Sequence, residues 1–136
     1  MADFLFKTEP DDYSFADLQS KKGGGVWDGV RNPVALKNMR SIAKGDRVFI
    51  YHTGSEKAVV GIARATSTAY PDPKQGDDTK LFVIDLAASA ALKQPVTLAT
   101  LKGEPEFESS PLIRQGRLSV VPLTDSQSAL IEKLGS

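Results

Sequence analysis

The sequence predicts an α+β fold, a curved, barrel-like sheet of five or six strands with short flanking helices, on three observations. Apolar runs rich in strand formers recur along the chain without the regular alternation with helices that a doubly wound sheet needs. The helix candidates are short, and several carry their own caps. The chain has 136 residues, 40% hydrophobic and 25% charged, which suits one core rather than two, so residues 1–136 read as a single domain.

Taken in order, Phe4-Leu5-Phe6 is a short apolar run that reads as a buried strand ending near Lys7-Thr8-Glu9-Pro10. Ser14 with Asp17 three residues on forms a capping box for a short helix whose Phe15 and Leu18 share a face. Lys21 to Gly25 reads as a loop, and Val26-Trp27 as a strand entering a helix. Asn32 is a preferred N-cap and Pro33 a preferred first residue; Ala35, Leu36, Met39, Ile42 and Ala43 then repeat at helical spacing up to the Lys44-Gly45 stop.

Arg47 to His52 and Ala58 to Thr68 form an expected hairpin, with Gly61 marking a bulge or a close backbone approach. Tyr70 to Asp78 is too proline-rich and polar for regular structure and is expected as a long exposed loop. Leu81 to Leu86 resumes a strand, and Thr97 to Lys102 gives one or two helical turns closed by Gly103. Arg117 to Val121 is a further strand that Pro122 should end. Thr124 and Gln127 make a second capping box for a C-terminal helix with Ala129, Leu130, Ile131 and Leu134 on its apolar face.

Composition removes whole classes of chemistry. With no cysteine and one histidine, the chain has no disulfides, thiolate nucleophile, iron–sulfur ligation or multi-histidine metal centre, so no metal or cofactor is expected. No stretch approaches a membrane span, and mean hydropathy is −0.22. The expectation is a monomer in the cytosol or nucleus, assigned to the cytoplasm. Seventeen basic and seventeen acidic residues cancel, yet residues 1–20 carry a net charge of −4 and residues 21–52 a net of +5.

The densest chemical cluster is Trp27-Asp28-Gly29-Val30-Arg31-Asn32, where a strand enters a helix. Trp27 offers a stacking surface, Asp28 an acceptor, Arg31 a fork for phosphate or carbonyl, and Asn32 a donor–acceptor pair, the set needed to hold a nucleobase. The same residues fit a plainer reading, with Trp27 in the core, Asn32 as a helix cap and Arg31 paired with Asp28. Tyr51 and His52, at a strand end, are similarly open between ligand and core. No Gly-x-Ser-x-Gly elbow accompanies His52, so hydrolase chemistry has no support.

In combination, Phe4-Leu5-Phe6-Lys7-Thr8-Glu9-Pro10, Tyr13-Ser14-Phe15, Trp27 to Asn32, Gly45-Asp46, Tyr51-His52, Val60 to Ala63, Ala69 to Asp72, Pro95 to Leu98 and Arg117 to Val120 resemble the EVE domain family over nearly the whole chain. The resemblance implies a PUA-like pseudo-barrel and a non-enzymatic reader of a modified base in DNA or RNA. It places candidate ligand contacts at Lys7, Thr8, Trp27, Asp28, Arg31, Asn32, Tyr51, His52 and Arg117. A pocket for a free nucleoside or nucleotide is the alternative, and a base-modifying enzyme using His52 a third. Phe4 and Thr8 stand where the family commonly has Trp and Ser, and Leu36 stands where it has an arginine, which removes one phosphate contact.

Overall fold

The computed structural model describes residues 2–76 and 80–136; Asp77 and Asp78 of the expected loop lie outside them. The elements are β1 (Asp3–Thr8), α1 (Phe15–Gln19), β2 (Gly25–Trp27), α2 (Pro33–Arg40), β3 (Arg47–His52), β4 (Ala58–Ala65), β5 (Tyr70–Pro71), β6 (Phe82–Thr97), α3 (Leu98–Lys102), α4 (Pro111–Arg114), β7 (Val120–Leu123) and α5 (Asp125–Leu134). The strands run β2-β6-β4-β3-β1-β7, with β5 pairing on β6, in a mixed sheet curled into a half-barrel. The six expected strands are present, and β5 is the addition.

β1 and β3 are the parallel pair, with Lys7 opposite Tyr51 and Thr8 opposite His52. Both strands are interior to the sheet and covered on both faces, which explains their continuous apolar sequences rather than an alternating one; Leu5, Phe6, Val48, Phe49 and Ile50 are fully buried. Bulges between Ile50 and Tyr51, between Val59 and Gly61 and between Ile62 and Ala63 increase the local twist and so curl the sheet.

β6 is much longer than its predicted Leu81–Leu86 segment. Ala87 to Ala91 is poor in strand formers and Pro95 lacks a donor, so propensity stops too early, but pairing to β4 carries the strand on to Thr97. Within the β6 irregularity Lys93 N–H donates to Gly135 O at 2.9 Å. Tyr70 to Asp72, expected to be irregular, instead adds a two-residue pairing to β6 and leads into a 3-10 turn at Pro73–Gln75.

Three further expectations are corrected. The α2 helix ends at Arg40 rather than running to Lys44, because the Ser41 hydroxyl donates to Asn38 O at 2.6 Å and the Asp46 carboxylate accepts from Ala43 N–H at 2.8 Å. β7 contains Pro122 instead of ending before it, opposite Phe4; the strand lies at the end of the sheet order, where a missing N–H is tolerated. The α5 helix buries Gln127, Ser128 and Ile131 while Ala129 is exposed. Gln127 can be inside because its amide donates to Glu106 O at 2.8 Å and accepts from Thr124 N–H at 2.9 Å.

Gly61 is a close approach as well as a bulge. A Cβ there would lie 2.4 Å from the Phe15 ring, so the absent side chain lets α1 lie against the sheet. Gly61→Ala should therefore destabilise by about 1 to 3 kcal/mol through overpacking. Urea unfolding would measure it, and an unchanged midpoint would show that the ring moves aside freely.

Candidate functional site

A hollow of about 820 Å³ opens where the C-terminal end of β1 meets β2 and the Tyr70 to Lys74 segment. Its size lies within the range of ligand pockets. After β1 the chain turns back on itself, with Asp12 and Tyr13 N–H both donating to Glu9 O at 2.9 Å. The Thr8 hydroxyl donates to Tyr13 O at 2.6 Å and so fixes that return. Tyr13 is thereby set beside Trp27, ring centroids 5.6 Å apart and nearly perpendicular, while Phe6 meets Trp27 from within the core at 5.6 Å.

Trp27 is only 6% exposed. It is the floor of the hollow seen at one edge rather than a free stacking platform, and half-buried Tyr13 is the aromatic side chain above it. Burial first, then the charges of Asp17 and Asp28, push the Tyr13 hydroxyl above its usual range. Beyond Trp27, Gly29 turns the chain in the left-handed region, φ 81°, and leaves Asp28 at the rim. Asp28 is about half exposed and, among the described residues, its ion pair is with Lys74, at 3.7 Å, a loose and solvated contact.

Opposite, Asp72 is buried and accepts from Lys74 N–H at 2.9 Å, starting the 3-10 turn. Tyr70 donates to Asp85 at 2.6 Å, a bond that with burial pushes its hydroxyl up to about 12. The walls carry Lys7, Lys21 and Lys74 against Glu9, Asp12, Asp28 and Asp72. Aromatic edges with interleaved donors and acceptors suit a planar polar heterocycle better than a phosphate.

Of the residues singled out in the sequence, Lys7, Thr8, Trp27 and Asp28 come together here. Thr8 has its hydroxyl proton committed to Tyr13. Lys7 also faces a second, smaller hollow with Tyr51, where its Nζ lies 5.7 Å from the Tyr51 ring and donates to Gly116 O at 2.9 Å. Burial draws the Lys7 ammonium below its usual range. Tyr51 is 3% exposed, so it too is no open stacking face.

Arg31 borders a smaller side hollow that shares Asp28, Asp72 and Lys74 with the main one. Asn32 caps α2 through Val34 and Ala35 N–H, at 2.9 and 3.1 Å, as the plainer reading has it; the partner of Asp28 is Lys74, not Arg31. Arg117 is exposed two residues before Ser119, which does line the hollow.

His52 is turned into the fold. Its Nε2 accepts from Phe15 N–H at 3.0 Å, so Nδ1 bears the proton and donates to Glu56 at 2.7 Å. With both nitrogens engaged away from the hollow, His52 has the arrangement of a structural histidine that starts α1.

Tyr13, Lys21, Asp72, Lys74 and Ser119 line the hollow without having been singled out as contacts. For Tyr13 a signal exists: it sits at N′, immediately before the Ser14 cap, where a large apolar residue commonly fixes how the chain enters a helix. The others lie on loops whose convergence no local pattern encodes.

The EVE domain family matches residues 2–134. Thymocyte nuclear protein 1 of Mus musculus is 29% identical over 164 aligned positions covering 96% of this chain and 72% of that protein. A Rhodopseudomonas palustris protein solved by NMR is 40% identical, with a TM-score of 0.92 over 99% of this chain and 93% of that one. Human THYN1 in complex with 5-methylcytosine-containing DNA is 25% identical, with a TM-score of 0.91 over 100% of this chain and 98% of the other.

Proposed function

Because this chain belongs to the EVE domain family, we propose that it reads a modified nucleobase, with a 5-methylcytosine-type base in DNA as its first ligand, and does no chemistry on that base. The observation that carries the reading is the hollow itself: a space with room for a heterocycle beside Tyr13 and Trp27, rimmed by the half-exposed Asp28 carboxylate, whose contact with Lys74 is loose. The human relative bound to methylated DNA supports the choice of ligand. The structural engagement of His52 supports binding without catalysis.

Asp28 accepts from the exocyclic amino group of cytosine, a donor that thymine replaces with a carbonyl oxygen. A well-placed contact of this kind discriminates by about 1 to 3 kcal/mol. Asp28→Ala should therefore lose most of the preference for 5-methylcytosine over thymine, two bases that share the methyl group, while still binding both. Trp27 is the single tryptophan and lines the hollow, so its emission reports occupancy during titration with short single strands carrying either base. The same preference in wild type and variant would remove Asp28 from the reading edge. Strands of RNA with the same base, titrated alongside, choose between the two polymers.

A further inference from the structure

The geometry points to a phosphate-binding subsite in the second hollow, about 250 Å³, where Lys7, Lys57 and Lys102 would hold the backbone phosphate next to the base that is read. This inference rests on the reader function proposed above and extends that site by one residue, because Lys7 lines both hollows.

Charge is divided between the two spaces. The main hollow carries four carboxylates among its walls, which repel a phosphodiester. The second is lined by three lysines and no carboxylate. None of these lysines has an acidic partner within ion-pair distance among the described residues. The Glu9 carboxylate, beside Gly54, accepts from the Thr53 hydroxyl at 3.2 Å.

The rim is also held in place. Lys57 is the non-glycine residue with a positive φ, 45°, among the described residues, and its carbonyl accepts from Leu98 N–H at 2.8 Å, tying the hairpin turn to the start of α3. Lys102 comes from the last turn of that same helix. Gly116 has open space where a side chain would stand, which leaves that part of the floor to a bulky oxyanion. Burial disfavours the charged form of Lys7, and a bound anion would offset that cost.

A strand whose base enters the first hollow thus has its phosphate carried past Lys7 onto the other two lysines. The source could equally be a free phosphate, and the test separates them. Wild type and the double variant Lys57→Gln/Lys102→Gln are titrated with a short single strand containing 5-methylcytosine, with 5-methyl-2′-deoxycytidine, and with inorganic phosphate, the last followed by the amide shifts of Gly54 and Gly116.

The expected result is weaker strand binding in the variant, a salt slope shallower by about 0.7 for each phosphate no longer neutralised, unchanged nucleoside binding, and phosphate-induced shifts in wild type that the variant lacks. Phosphate shifts without any change in strand affinity would mean a free-anion site and overturn the backbone assignment. Unchanged strand affinity and slope together with absent phosphate shifts overturn the subsite and leave the reader function standing. Wild type that binds neither strand nor nucleoside sinks the reader function and, with it, the backbone assignment. Equal melting temperatures of the two proteins establish that any loss is local.

Discussion

Trp27→Ala is expected to lower stability by about 3 to 5 kcal/mol, the usual result of truncating a large aromatic core residue. The ring is buried between Phe6 and Tyr13, so its removal leaves a cavity that opens toward the hollow. Against a typical stability of about 5 to 15 kcal/mol the loss is large, and the Tyr13 ring loses the edge it rests on. Base binding should fall for every base alike, since the floor goes rather than a reading group. Trp27→Phe keeps an aromatic core and should recover much of the stability. Chemical unfolding of the three proteins measures this; an alanine variant within about 1 kcal/mol of wild type would mean that the indole is a surface group after all.

The second large effect lies far from the hollow. Asp3 and Arg47 face each other across the parallel β1 and β3 pair and are joined by two hydrogen bonds, at 3.1 and 2.9 Å, with Glu132 of α5 on the other side of the guanidinium. Asp3 is buried and Arg47 partly so. Arg47→Ala strands the carboxylate, and removing one partner of a buried pair costs about 3 to 5 kcal/mol; with Arg47 partly in reach of water, the lower end applies. The double variant Asp3→Asn/Arg47→Met should recover most of the loss, because the penalty comes from an unpaired charge. A single variant as stable as wild type would show that water already solvates Asp3.

The same pair sets an acid limit. Burial alone would raise the Asp3 carboxyl, but the hydrogen bonds and charge of Arg47 outweigh it and hold the group below its usual range. A folded value below the unfolded one, about 3.9, means this stability is fully present above the unfolded value and is lost as pH falls through the folded one. Acid unfolding of wild type should therefore steepen below about pH 4, and the double variant should lack that component.

The proposed reader site was only half legible in the residue order. Trp27 and Asp28 stood out because a ring and a carboxylate adjoin a turn before a capped helix, and Lys7 and Thr8 only through the resemblance of the first motif to the EVE family. Asn32 illustrates the limit: the features that mark a base-reading amide also mark an N-cap, and the cap takes its oxygen. His52 and Tyr51 likewise face inward for reasons of strand register, since their partners across β1 and β4 decide which side is covered. Tyr13, Asp72 and Ser119 reach one space from three distant stretches.

What the sequence determined by itself is the set of short-range choices: both capping boxes, the Asn32-Pro33 helix start, the apolar strands β1 and β3, and the close approach at Gly61. Each follows from interactions within a few residues or from the burial of a continuous apolar run. Tertiary structure alone decided the length of β6, the place of Pro122, the inward face of α5 and the division of charge between two hollows. Those outcomes depend on which strand pairs with which and on where loops far apart in sequence converge, and such long-range pairings can override a propensity worth only about 1 kcal/mol per residue.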